Sequence, residues 1–424
     1  MKKVELLSPA GNLEKLKIAL NYGADAVYGG VSHFSLRIRS GKEFDFDSFK
    51  EGIDYAHSLG KKVYATINGF PFNSQIELLK THIQKIAALN PDGIIVATPG
   101  VVRLCNEIAP HIPIHLSTQA NVMNYIDAQV YYDMGVRRII AAREISLKDV
   151  VEIKKRLPDL EIEIFVHGSM CFAYSGRCLI SAVQMGRVPN RGSCANDCRF
   201  EYELYVANKE HGTLFRLEEQ SDVGTYIFNA KDMNLASYVD EILASGAVDS
   251  IKIEGRTKSP YYAAVTAKAY RLAIDDYYNG VFDKDKYQKE LHTTKNRGFT
   301  DAYLLHRPYE KSDTQNHDYA MSKGSYEVSG LVMEDEEYFM CKYKTYPNEK
   351  IEVFTPKGAK LDLCDNEIGK IELIDDIYYI TFKQIITKEG KILDSVHSGN
   401  INPIKLPCKL PYLTIFRTLA DEEV

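Results

Sequence analysis

"KIAALNPDGIIVATPG", residues 85–100, runs from a helix-like stretch through an Asn-Pro-Asp-Gly turn into a short apolar run and a polar, Gly-closed end. The run Gly93–Ala97 is too short for a helix and does not alternate polar with apolar residues. It reads as a strand buried on both faces, as in parallel sheets covered by helices. The same unit recurs in "LKIALNYGADAVYGG" (16–30), "IDYAHSLGKKVYATING" (53–69), "YYDMGVRRIIAARE" (131–144) and "EILASGAVDSIKIEGR" (241–256). Collecting the runs gives eight strands: Val4–Leu7, Ala26–Tyr28, Lys62–Ile67, Gly93–Ala97, Ile112–Leu116, Arg138–Ala141, Glu161–Val166 and Ser250–Ile253. An open doubly wound sheet would want a Gly-rich phosphate turn after its first strand. "SPAGN" (8–12) has a single Gly, so the expected class is α/β, a (β/α)8 TIM-like barrel.

The spacing breaks between the seventh and eighth strands, where residues 168–249 stand in for a helix, and insertions of that length are usually functional. After the eighth strand, "SPYYAAVTAKAYRLAIDDYYNG" (259–280) predicts a helix opened by Ser259 and Pro260 and stopped by Gly280. From Ser325 short β-like runs alternate with Gly, Asn, Asp and Pro turns, the pattern of a small all-β barrel of five or six strands. The expected division is a catalytic barrel over 1–290 with its insertion at 168–249, a linker over 291–324 and a β-barrel domain over 325–424.

At 424 residues the chain is long enough for two cores, and 45% hydrophobic with 26% charged residues is the composition of a soluble globular protein. No uninterrupted apolar stretch approaches the roughly 18 residues that cross a bilayer. The first residues lack the apolar core of an export signal, so a cytoplasmic location without membrane contact is expected. A net charge of −6 disfavours unspecific nucleic-acid binding, so an RNA partner would need a local basic surface.

In a TIM-like barrel the chemistry lies at the C-terminal ends of the strands. Those ends carry Ser8 and Asn12, Asn68, Thr98, "STQAN" (117–121), Arg143 and Glu144, His167 and "EGR" (254–256). Each can simply cap a helix or satisfy a turn. Their recurrence after nearly every strand points to a polar pocket, with Gln119, Asn121, Arg143, His167 and Arg256 as candidate lining residues. Arg297 and the loop arginines Arg177, Arg187, Arg191 and Arg199 add donors suited to carboxylate or phosphate.

The insertion opens with "HGSMCFAYSGRCLISAVQMGRVPNRGSCANDC" (167–198), which holds half of the chain's eight cysteines. Cys171, Cys178, Cys194 and Cys198 have six, fifteen and three residues between them. In a reducing compartment a metal is the better reading than disulfides, and four thiolates suit either tetrahedral zinc or an iron–sulfur cluster. Neither the paired CxxC of zinc ribbons nor CxxxCxxC is present. "HIPIH" (111–115) has the spacing of a helical zinc pair, but Pro113 spoils the helix; GxSxG and phosphate-loop motifs are missing too.

"EIFVHGSMCFAYSGRCLIS" (163–181) resembles the signature of the collagenase-like peptidase family U-32, and "ELLSPAGN", "GADAVYGG", "HLSTQAN", "RGSCANDCR" and "IKIEGR" resemble its other blocks, in order. The resemblance implies a barrel-like catalytic domain followed by a β-domain. It is strongest to members that act on tRNA, placing a hydroxyl on C5 of the wobble uridine without O2. Those members depend on prephenate and on iron–sulfur assembly machinery. Related members that hydroxylate ubiquinone imply a [4Fe–4S] cluster, whose ligands here would be Cys171, Cys178, Cys194 and Cys198. The arginines would then hold prephenate, a small dicarboxylate, and tRNA would be the macromolecular partner. The alternatives are a collagenase-like peptidase and a non-catalytic, metal-stabilised RNA-binding protein. Four thiolates would saturate a zinc ion and leave no open position for a hydrolytic water, which favours the hydroxylating members.

Overall fold

The computed structural model describes residues 3–31, 34–36, 43–217, 228–306, 314–316 and 324–420. Strand and helix alternate as the apolar runs require: β1 (Glu5–Pro9), α1 (Leu13–Asn21), β2 (Ala26–Gly29), α2 (Phe46–Ser58), β3 (Lys62–Ile67), α3 (Ile76–Ala88), β4 (Gly93–Val96), α4 (Pro99–Ile108), β5 (Ile114–Leu116), α5 (Tyr125–Asp133), β6 (Val136–Ile140), α6 (Leu147–Arg156) and β7 (Glu161–Ser169). The insertion forms α7 (Ile180–Met185), a hairpin of β8 (Leu204–Ala207) and β9 (Leu214–Leu217), and β10 (Asp232–Asn234). The chain then returns through α8 (Val239–Ala244) to β11 (Ser250–Ile253). β11 pairs in parallel with both β7 and β1, with Ser250 opposite Glu163 and Glu5, and this closes an eight-stranded ring.

Inside the ring the side chains are not all apolar. Lys252 Nζ donates to Glu163 Oε1 at 2.8 Å, and Arg138 Nη1 donates to Glu163 Oε2 at 3.1 Å and also contacts Glu5. Glu163 is 0% exposed, and Arg138 and Lys252 are 3% exposed, so each charge depends on its partners. Burial lowers the Lys252 ammonium from its ordinary value, with Glu163 acting in the opposite direction.

The long helix α9 (Pro260–Asn279) starts and stops where its end signals lie. Ser259 accepts from the Tyr262 N–H at 3.2 Å, and Gly280 adopts a left-handed φ of 72°. α10 (Lys284–Leu291) follows, and then β12 (Phe299–Thr300) pairs with β10. Within the stretch 291–324, expected to be a linker, Phe299 and Thr300 pair with Asp232 and Met233 of β10. A two-residue strand is too short to leave a periodic pattern.

Beyond it lie β13 (Tyr326–Val332), β14 (Tyr338–Cys341), β15 (Lys350–Phe354), β16 (Cys364–Asp365), β17 (Gly369–Ile374), β18 (Ile377–Phe382), β19 (Ile385–Ile386), β20 (Ile392–Leu393), β21 (Ile404–Lys405) and β22 (Ile415–Leu419). All but β19 and β20 form one curled antiparallel sheet of eight strands, in the order β16-β17-β18-β15-β22-β13-β14-β21, around its own core of Phe339, Ile380, Phe382 and Phe416. The count exceeds the expected five or six because the end strands β16 and β21 have two residues each. Arg417 on β22 joins the two domains: its Nε is held within the sheet by Glu352 at 2.9 Å, while its Nη1 donates to Tyr261 Oη of α9 at 3.0 Å and it pairs with Glu290 of α10. Among the described residues no helix is long and apolar enough to cross a membrane.

Candidate functional site

A cavity opens at the C-terminal mouth of the barrel. The strands and the loops after them contribute Tyr28, Asn68, Gln119, Arg143, Phe165, Lys252, Glu254 and Arg256, and the insertion contributes all four clustered cysteines. The loop that carries Cys171 and Cys178 is tied to the strand ends. Glu144 accepts from both the N–H and the hydroxyl of Ser175, each at 2.9 Å, and Asn121 Nδ2 donates to the Ser175 carbonyl at 2.6 Å. Arg177 Nε donates to Asn121 Oδ1 at 2.8 Å. Gly176, at φ +72°, lies so close that a Cβ there would meet Gln119 Cα at 2.7 Å, so only glycine lets the loop settle on that residue. The far side of the insertion is held by Arg191, whose Nη2 donates to Gln75 Oε1 at 3.0 Å and whose guanidinium lies 4.0 Å from the Phe72 ring centroid.

None of the four thiols is in a disulfide; Cys171 is exposed and the other three are half-buried. Burial, followed by the influence of Cys171, Cys194 and Cys178 working against Arg199, pushes the Cys198 thiol up to about 11. The Asn196 N–H donates to Cys194 Sγ at 3.4 Å, the kind of contact that steadies a thiolate ligand. Among the described residues no three His, Cys, Asp or Glu side chains are grouped to hold one metal ion. The four thiols line one cavity, and such a donor set also suits a zinc ion. As a donor set, four soft thiols on one cavity fit a [4Fe–4S] cluster, which takes four cysteines.

Of the other candidates, Gln119, Arg143 and Arg256 line the cavity. Gln119 is 3% exposed; its Oε1 accepts from Ser117 Oγ at 3.2 Å, and its Nε2 has no hydrogen-bond partner. Arg143 lies 4.3 Å from the Phe165 ring centroid and 3.5 Å from Glu254. Arg256 Nη1 donates to Ser35 Oγ at 2.7 Å and Thr66 Oγ1 at 3.1 Å, with Glu43 at 3.5 Å. The cavity does not include Asn121, His167 or Arg297 among its lining residues. Asn121 is used up in holding the loop. His167 is 1% exposed among Tyr262, Tyr270 and Phe299, and burial lowers its pKa to about 3, so the imidazole is neutral. Arg297 donates to the Ala230 carbonyl at 3.1 Å and pairs with Asp232, away from the cavity.

Sequence reasoning missed Lys252, Tyr28 and Phe165. The signal for Lys252 is a lone charge inside "SIKI", where period-two alternation turns it toward the barrel interior. Lys252 Nζ lies 4.2 Å from the Tyr28 ring centroid and 5.5 Å from that of Phe165.

Comparison with known proteins adds independent findings. The chain is 62% identical over 418 residues to the tRNA hydroxylation protein P of Helicobacter pylori, covering 99% of both chains. It is 38% identical over 400 residues to the protein of the same name from Escherichia coli, covering 84% of this chain and 87% of that one. It is also 31% identical over 314 residues to a collagenase of Porphyromonas gingivalis, covering 71% of this chain and 73% of that one. The sequence profile of peptidase family U32 matches residues 11–314, and with that span and those relatives the chain belongs to peptidase family U32.

Proposed function

We propose that this chain is an iron–sulfur-dependent tRNA-modifying enzyme that hydroxylates C5 of the wobble uridine without O2, using a prephenate-linked donor. The observation that carries the reading is the convergence of Cys171, Cys178, Cys194 and Cys198 on a cavity whose buried Gln119 amide nitrogen lacks a partner. The relatives named as tRNA hydroxylation proteins support the substrate class. When bound, a cluster on the four thiolates supplies redox chemistry that amino-acid side chains lack. The chain's own groups bind and orient. Gln119 Nε2 donates to a ligand acceptor, Arg143 and Lys252 provide positive charge, and Tyr28 and Phe165 shield that charge from water. Iron–sulfur assembly machinery is the partner that such a centre requires.

The collagenase relative raises the peptidase reading. That chemistry needs an activated nucleophile or an open metal site, and His167, near the C-terminal end of β7, is buried and neutral. Nucleoside mass spectrometry of tRNA from a deletion strain tests the proposal. Nucleosides derived from 5-hydroxyuridine should disappear, return with the wild-type gene, and stay absent with Cys194→Ser. Unchanged modification in the deletion strain contradicts the function outright.

A further inference from the structure

A second cavity adjoins the first and shares Cys194, Arg199 and Glu254 with it; Arg187, Thr257 and Lys258 lie on its own side. Most basic groups at the mouth are already engaged. Arg143 faces Glu254, Arg177 bonds Asn121, Arg191 bonds Gln75, Arg256 bonds Ser35 and Thr66, and Arg297 pairs with Asp232. The cations of the second cavity are different. Arg187 has one long contact, from Nε to Ser193 Oγ at 3.5 Å. Lys258 Nζ has the Lys295 carbonyl at 3.4 Å, the Tyr262 ring centroid at 5.5 Å and Asp232 at 4.0 Å, and that carboxylate is also paired with Arg297. The Arg199 guanidinium has no hydrogen-bond or ion-pair partner among the described residues. Glu254 turns its Oε2 toward Arg143 and Tyr28 on the side of the first cavity.

These cations also crowd one another. Burial lowers the Lys258 ammonium from its ordinary value, and Arg297 and Arg199 act in the same direction against Asp232. Half-buried positive charges held close together cost stability where the counter-charge is shared, as Asp232 is between Lys258 and Arg297, and a further anion between them lowers that cost. Guanidinium and ammonium donors around one cavity match the oxygens of phosphate or carboxylate.

We infer that the second cavity is an oxyanion site in which Arg187, Arg199 and Lys258 hold either a backbone phosphate of the RNA or a carboxylate of the small co-substrate, beside Cys194. The inference rests on the hydroxylation reading for the ligand's source. It also moves anion recognition from Arg256 to these three residues.

Lys258→Met and Arg187→Met, with Lys258→Arg as the charge-retaining control, test it in the full-length protein at matched iron content. Two probes are titrated separately: an anticodon stem–loop RNA over a series of salt concentrations, and prephenate alone by calorimetry. Each Met variant should weaken one probe about tenfold or more, as loss of a charge-assisted contact does, and Lys258→Arg should retain most of the affinity. If the anion is a phosphate, RNA binding weakens, its salt slope falls by about one per contact, and prephenate binding is unchanged. If it is a carboxylate, the calorimetric arm alone responds. Wild-type affinity for both probes in both Met variants overturns the oxyanion site and leaves the hydroxylation reading standing. A wild-type protein that binds neither probe overturns both. Arg187→Met carries the test if Lys258→Met does not fold.

Discussion

Gln119 and Arg256 line the same cavity under opposite constraints. The Gln119 amide nitrogen is buried and makes no bond within the protein, while Arg256 is held by two hydroxyls with Glu43 nearby. Removing an unsatisfied donor is close to neutral for folding, whereas removing one partner of a buried charged cluster costs about 3–5 kcal/mol. Gln119→Met gives up only the Ser117 hydrogen bond and should therefore cost about 1 kcal/mol of stability while lowering wobble-uridine modification, and Arg256→Ala should lower stability more, together with modification. Denaturant unfolding of both variants, beside nucleoside analysis of cells expressing them, checks the contrast. Residue identity was readable for the cysteines, because four thiols within one loop are rare. It was not readable for His167 and Arg297, whose side chains pack outside the cavity although their types suit a site. Side-chain direction at a strand end depends on the neighbouring layer, and a single sequence does not record that layer.

Elements were legible where length and end signals agreed. The eight continuous apolar runs became the eight barrel strands, and Ser259, Pro260 and Gly280 bounded α9 as their chemistry requires. Ser259→Ala removes the acceptor of the Tyr262 N–H and should cost about 1 kcal/mol, measured by chemical denaturation, with iron content unchanged. Two-residue strands stayed hidden. β12, β16 and β21 exist through pairing with distant strands, and a run that short carries no period. The cysteine insertion was legible as an interruption of the βα rhythm, but its anchoring through Ser175, Glu144 and Asn121 was not. Those hydrogen bonds join residues more than thirty positions apart.

At the scale of the whole molecule, the barrel presents strand ends, the insertion presents thiols, and Arg417 fastens the C-terminal sheet to α9 and α10 through Tyr261 and Glu290. The net charge of −6 is compatible with an RNA partner because Arg187, Arg199 and Lys258 form a local basic group beside Cys194. The proposed function depends most on what the four thiols hold. Iron and zinc analysis of anaerobically purified protein, with its visible absorbance spectrum, measures that directly. Brown protein with about four irons per chain is expected, the iron lost on Ala substitution of Cys171, Cys178, Cys194 or Cys198 and retained in Cys105→Ala. Stoichiometric zinc without iron, or iron that survives loss of these cysteines, would contradict it.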